Sequence, residues 1–213
     1  MSSGKPDGRT ARAQATRARI LDAAVALFTT AGYTPTSIGA IAAEAGVSEQ
    51  TVYYAFGTKK AVLATALDHA IAGDAEPTPT LERPWVTAAL GHADPREQLR
   101  RQVAGAGAIF LRAAPLLDVV RSAAPTDPDL GELWATNLRQ RLTVQRVFID
   151  ALVRKTPLRD GLTPETAADI ALVILSPENY NLLVGTRNWP HEKWREWAET
   201  SLISLLTTLP ATA

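Results

Sequence analysis

The side chains best suited to chemistry lie close together between Thr36 and Lys59. Ser48, Glu49, Gln50 and Thr51 form a short polar run, and Tyr53, Tyr54 and Lys59 follow it. A glutamine can pair bidentately with adenine, and a glutamate can accept from the N4 amine of cytosine. Thr36, Ser37, Tyr53, Tyr54 and Lys59 offer donors suited to phosphate oxygens, contacts that position a protein on nucleic acid without reading its sequence. Lys59 falls in the first turn of a helix, where free N–H groups and the helix dipole also favour an anion. This is the chemistry of binding rather than of bond making.

Short helices must hold these groups. Ile20, Ala24, Leu27, Phe28 and Ala31 recur at steps of three and four, which predicts a first helix over about Arg12 to Ala31. Gly32 ends it, and Pro35 bars simple continuation. Thr36 or Ser37 caps a second helix with Ile38, Ile41, Ala42 and Ala45 facing inward. Gly46 makes the turn, and small residues (Ala42, Ala43, Ala45) let the flanking helices cross closely. Ser48 caps a third helix in which Val52, Tyr53 and Phe56 share a core spacing, so Tyr53 should be more buried than Tyr54. Thr58 caps a fourth, to about Ile71. Two short helices meeting across Ala45-Gly46-Val47 have the layout of a helix-turn-helix, whose second helix reads the major groove with its N-terminal residues.

The rest of the chain is helical in pattern. Residues 73–95 carry four of the fourteen prolines and read as a connection, with a short helix around Trp85 to Leu90. Beyond it the patterning predicts helices over Arg96 to Ala113, Pro115 to Ala123 and Asp127 to Lys155. Another runs from Thr163-Pro164-Glu165 to about Gly185, interrupted at Pro177, and a last one from Pro190 to about Leu209. The expected architecture is all-α. Residues 1–11 should be a disordered basic arm, 12–72 a DNA-binding unit with its connecting helix, and 73–213 a larger helical body.

The chain has 213 residues, with 46% hydrophobic, 21% charged and no cysteine, which excludes disulfides and thiolate metal sites. Formal net charge is zero, but residues 1–21 hold five basic groups against one acidic, a footprint for phosphate. No stretch approaches the roughly 20 uninterrupted apolar residues of a membrane helix. The first residues lack a signal-like apolar run, so a cytoplasmic location and no membrane partner are expected.

An enzyme is the weaker reading. His69, His92 and His191 are scattered, and His191-Glu192-Lys193-Trp194-Arg195 lacks the second histidine of a zinc-protease motif. Gly105-Ala106-Gly107 lacks the third glycine and the preceding strand of a dinucleotide loop. No catalytic residue, metal site or cofactor is expected. A helical adaptor that binds partner proteins is the other alternative, and it predicts no salt-dependent DNA binding.

The stretch from Ile20 to Leu63 resembles the DNA-binding domain of the tetracycline-repressor (TetR) family. The likeness rests on Ile20-Leu21, Ala23-Ala24, Leu27-Phe28, Gly32-Tyr33, Thr36, Ile41-Ala42, Ala45-Gly46-Val47-Ser48, Thr51, Tyr53, Phe56, Lys59 and Leu63. It covers about a fifth of the chain. The resemblance implies that the helix from Ser48 to Tyr54 docks in the major groove and that Tyr53, Tyr54 and Lys59 clasp the backbone. Thr36 and Ser37 would cap the preceding helix beside a phosphate. Ala55 departs from the pattern, since a polar group often precedes the phenylalanine, and this removes one phosphate contact.

The same resemblance implies a homodimeric repressor that a small-molecule effector releases from operator DNA. Phe110, Trp134, Leu138, Phe148 and Tyr180 are the candidate pocket residues, joined by Trp85, with Arg112, Asn137 and Arg141 able to orient a ligand. Ser176 to Val184 and Asn188 to Trp194 look like the dimerising end of many members. Within the last helices Val173, Leu175, Trp197, Leu202 and Leu205 are the candidate interface, because apolar residues on more than one face ask for a partner helix.

Overall fold

The computed structural model describes residues 8–74 and 78–210, with side chains from Ala11 onward. Ten α-helices account for most of them. Helix α1 (Gly8–Ala31) lies against α2 (Ile38–Ala45) and α4 (Lys59–Ala72), and α3 (Glu49–Phe56) closes the small N-terminal unit. Then follow α5 (Pro84–Leu90), α6 (Pro95–Ala123), α7 (Pro128–Val153), α8 (Pro164–Ile174), α9 (Pro177–Tyr180) and α10 (His191–Leu206). Among the described residues there is no strand, only one antiparallel bridge between Leu158 and Thr207.

The boundaries follow the capping chemistry. Ser37, Ser48, Thr58, Thr163 and Ser176 each accept a backbone N–H three residues on; Asp94 caps α6 through the Arg96 amide, and Asp127 caps α7 through those of Asp129 and Leu130. Gly46 sits at φ 64°, where its own N–H closes α2 onto Ala43 O and the Val47 N–H reaches Ala42 O at 3.0 Å. That left-handed turn sets the angle between α2 and α3.

Three expectations need correction. Helix α1 begins at Gly8, so the last residues of the expected disordered arm are helical; residues 1–7 lie outside the described residues. The pair of helices placed on either side of Ala114 is one helix, α6, that runs through Pro115. The acceptor freed by the missing N–H is the carbonyl of Leu111, a residue on the exposed side of α6. After α9 the chain winds through a wider π-type turn, Asn181–Thr186, with Arg187 N–H bonding Leu182 O.

Two cores meet on α6. Ile20, Phe28, Ile41, Val52, Leu63 and Leu67 form the first with Leu116, Leu117, Val120 and Leu130, so the N-terminal unit is built onto the C-terminal half of α6 and the start of α7. Leu99, Val103, Phe110, Ile149, Trp194 and Leu202 centre the second. Among the described residues α6 alone is long and apolar enough to cross a bilayer, and it is the helix around which α4, α5, α7, α9 and α10 pack. Lys60 of α4 pairs with Asp129 of α7 at 3.1 Å, a second tie across the same junction.

Candidate nucleic-acid interface

The turn leading into α2 is a scaffold before it is a contact surface. Thr36 is buried, and its hydroxyl donates to Gly32 O at 2.7 Å, closing the exit of α1. Ser37 alone supplies the cap, accepting from the Ala40 amide at 3.0 Å. Thr36, expected beside a phosphate, spends its one hydroxyl proton inside the protein.

Lys59 is placed differently from expectation as well. Its ammonium donates to Tyr33 O and to Thr36 O, both at 2.9 Å, and lies 4.1 Å from the centre of the Tyr33 ring. Burial pushes its pKa below the ordinary lysine value, opposed by the charge of Asp127. With a longer third contact to Thr34 O at 3.5 Å, the ammonium clamps the α1–α2 turn to the start of α4.

Helix α3 is pinned by a single buried residue, Val52, between α2 and α4. Its N-terminal turn is organised by Ser48, which accepts from Thr51 N–H at 3.2 Å and lies 2.8 Å from the Thr51 hydroxyl. Glu49 folds back across α2: a Cβ on Gly39 would meet its carboxylate oxygen at 2.8 Å. The absent side chain lets the carboxylate rest over the positive first turn of α2. Gln50 is exposed on the same edge.

Tyr54 is 94% exposed and Tyr53 51%, so Tyr53 is the more buried of the two, as expected, without joining the core. Helix α3 is only eight residues long and has one inward anchor, Val52. Arg17, one of the five basic groups among residues 1–21, has a role that the sequence does not signal. Its guanidinium donates to Ala55 O at 2.7 Å and lies 4.0 Å from the centre of the Phe56 ring, fastening α1 to the end of α3. Ala55 itself is half-buried.

Residues 20–66, which span α1 from its first buried residue to the middle of α4, match the family model described as bacterial regulatory proteins, tetR family. That stretch is what the chain shares with the tetR family by sequence. The fold is shared over the full body. NalD of Pseudomonas aeruginosa, the secondary repressor of the MexAB-OprM multidrug efflux pump, superposes with a TM-score of 0.70 at 20% identity, covering 92% of this chain and 98% of its own. A TetR transcription regulator from Haloarcula marismortui matches at 0.65 and 18%, covering 91% and 100%. A Saccharomonospora viridis protein in complex with choline matches at 0.65 and 20%, covering 92% and 100%. No curated relative matches the chain by sequence.

In the helical body, the expected pocket residues divide. Phe110, Tyr180 and Phe148 are buried core. Phe110 packs on Tyr180 and edge-on against Trp194, with ring centres 5.6 and 5.7 Å apart. Phe148 lies 6.1 Å from Trp85. Leu138 is largely exposed, and Trp134 is half-buried under the Arg141 guanidinium. None of these five borders the two main cavities.

Those cavities lie on either side of the end of α4. One, of about 710 Å³, is bounded by Ile71, Trp85, Arg101, Gly105 and Arg112. The other, of about 670 Å³, lies between α4 and α7 and is bounded by Thr65, Asp68, Leu81, Asn137, Arg141 and Val144. Sequence patterning could not show them, because their walls come from residues far apart in sequence, 65–85 on one side and 101–144 on the other.

The expected interface residues divide too. Val173 is 63% exposed, Leu205 is 49% exposed and Trp197 is half-buried beneath Trp189. Leu175 and Leu202 face the second core, fully covered, and cannot meet a partner. Among the described residues no cluster of three or more His, Asp or Glu side chains could hold a metal ion.

Proposed function

We propose that the chain is a homodimeric transcriptional repressor that binds a two-fold operator and is released by a small molecule held in the helical body. One observation carries the DNA reading: α3 is anchored by Val52 and leaves Gln50, Tyr53 and Tyr54 exposed along one edge. Gln50 reads bases, and Tyr53 and Tyr54 contact phosphates. Ser37, Ser48 and Thr51 support that edge and reach the backbone with spare acceptor and donor capacity. Glu49 reads a base only by leaving the first turn of α2. Lys59 shapes the α1–α2 turn and reaches a phosphate by exchanging its long contact to Thr34 O. Residues 12–72 form the DNA-binding unit, and residues 73–213 the ligand-binding and dimerising one.

Repression and effector release draw support from the relatives, one a repressor and one in complex with choline. Dimerisation draws support from the exposed Val173 and Leu205 and from the small size of α3, since one short helix gives little specificity alone. Such a regulator acts in the cytoplasm, without a catalytic step. The test is a gel shift on the DNA upstream of its own gene across a salt series. Binding that weakens steeply with salt is expected; absent or salt-independent binding overturns the reading in favour of a helical adaptor. Deleting the gene should raise neighbouring transcripts.

A further inference from the structure

The cavity between α4 and α7 contains polar groups that the protein leaves unanswered. Arg141 of α7 has a side chain only 13% exposed. Its Nη1 donates to Glu178 Oε2 at 3.2 Å, and its guanidinium carbon lies 5.1 Å from the centre of the Trp134 ring. These contacts hold one end and one face of the group. Nε and Nη2 remain, both buried and both without a partner. They are neighbours on one edge of the guanidinium, so their N–H bonds run parallel and match the two oxygens of a carboxylate.

Asn137 stands one turn earlier on the same helix, 7% exposed, and its Oδ1 also lacks a partner. The cavity therefore presents a charged two-donor edge beside a lone acceptor. Ile71, Pro79, Leu81 and Val144 supply apolar wall. The acids nearby bound the charge of an occupant: Glu178 already holds Arg141, Asp74 pairs with Arg83, and Asp68 lies exposed on the α4 wall. A dianion such as a phosphate monoester would add two charges beside Glu178 and Asp68, whereas a single carboxylate adds one and matches the two N–H donors that Arg141 has left.

We propose that this cavity binds a monocarboxylic acid with an apolar body and a hydroxyl or N–H close to the carboxylate. The carboxylate takes the Nε and Nη2 edge of Arg141, and the donor reaches Asn137 Oδ1. This deepens the effector reading above and rests on it. Buried charged donors without a partner carry a large desolvation cost, and pairing them on binding supplies the selectivity for the acid. Because α4 carries one wall and leads directly from α3, occupancy is felt at the DNA-binding unit.

The test is calorimetric titration of the full chain, without DNA, using N-acetylphenylalanine, phenyllactate and phenylpropanoate, each beside its primary amide. The acids should bind ~10- to 100-fold more tightly than the amides, the range of a charge-assisted pair. The two acids that carry a donor should exceed phenylpropanoate, and Asn137→Leu should erase that difference. Arg141→Lys keeps the charge and most of the volume but loses the fork, so it should weaken the acids at least ~10-fold and leave the amides unchanged. Equal binding of acids and amides, no binding of any acid, or unchanged acid affinity in Arg141→Lys would each overturn the proposal. The ratio of acid to amide in the unaltered protein needs no variant to fold. An acid that binds yet leaves the gel shift intact sinks the effector reading while the site stands.

Discussion

Arg112 of α6 donates its Nε–H to the carbonyl of Ala70 at 2.9 Å, at the last turn of α4. Its Nη2 reaches Ile71 O at 3.4 Å, and its Nη1 is held by Ala108 O at 2.7 Å. The helix that leaves the DNA-binding unit is thus tied to the central helix of the body through the carbonyls that α4 leaves unmatched at its end. Gly73 completes the arrangement: it sits at φ 79°, and a Cβ there would lie 2.7 Å from Arg112 Nη2.

Arg112→Ala should loosen this tie at a cost of about 1 kcal/mol, because the bonds are exposed to water. The larger effect should be on transmission: the ligand concentration that releases DNA should shift while affinity for the ligand itself holds. Fluorescence anisotropy on labelled operator, with and without ligand, separates the two. Unchanged coupling in a folded Arg112→Ala protein would show that α4 is steered from elsewhere.

Lys59→Met removes the donor that joins Tyr33 O to Thr36 O. The loss should be about 1–3 kcal/mol of unfolding free energy, since the carbonyls it satisfied are partly buried. A residue acting only on phosphate would leave stability untouched and lower DNA affinity, so a denaturant melt distinguishes the two roles.

Lys59 shows how far the sequence could be read. The helices, caps and turn were legible because each rests on local rules: Ser37, Ser48 and Thr58 are short polar side chains before apolar runs, and Gly46 is where a left-handed turn must fall. The family pattern around α2 and α3 was legible for the same reason. What a long side chain touches is decided by non-local packing. Thr36 and Lys59 turned inward and Tyr53 outward for reasons that lie in α1 and α4, and Arg17 found Ala55 38 residues away. Leu175 and Leu202 looked like partner-facing residues until α6 and α7 were laid over them.

Tyr54→Ala and Gln50→Ala should separate positioning from reading. Tyr54 is almost fully exposed, so its truncation should leave the melting curve in place and weaken binding to all sequences alike. Gln50→Ala should change preference at one or two base pairs by about 1–3 kcal/mol each. Selection from a randomised operator pool reads both effects. If Gln50→Ala kept the selected sequence intact, α3 would lie in the groove by another edge.

His191 should give the fold an acid-sensitive component. Its Nδ1 lies 2.9 Å from the Tyr180 hydroxyl and its ring against Trp194, and desolvation pushes its pKa below the ordinary value of 6.5. Because the folded value is the lower one, the unfolded chain binds more protons between the two. Stability is therefore complete above 6.5 and is lost as pH falls towards and through the folded value. His191→Gln should flatten that limb of a plot of unfolding free energy against pH. A limb of the same slope in the variant would assign it to carboxylates.

Val173 and Leu205 test the dimer. They are exposed apolar groups on α8 and α10, helices that pack on each other, and Trp189 and Trp197 extend the same α10 surface with ring centres 6.5 Å apart. A two-fold contact sets each residue against its own copy or a neighbour of it, so one substitution is felt twice. Val173→Asp with Leu205→Arg should yield a folded monomer by light scattering, because both side chains project into solvent and neither core is altered. Operator affinity should fall by orders of magnitude while affinity for a half-site is retained, since each α3 is unchanged. A double variant that still sediments as a dimer would place the interface on another face, and the exposed Leu111 of α6 would be the next residue to charge.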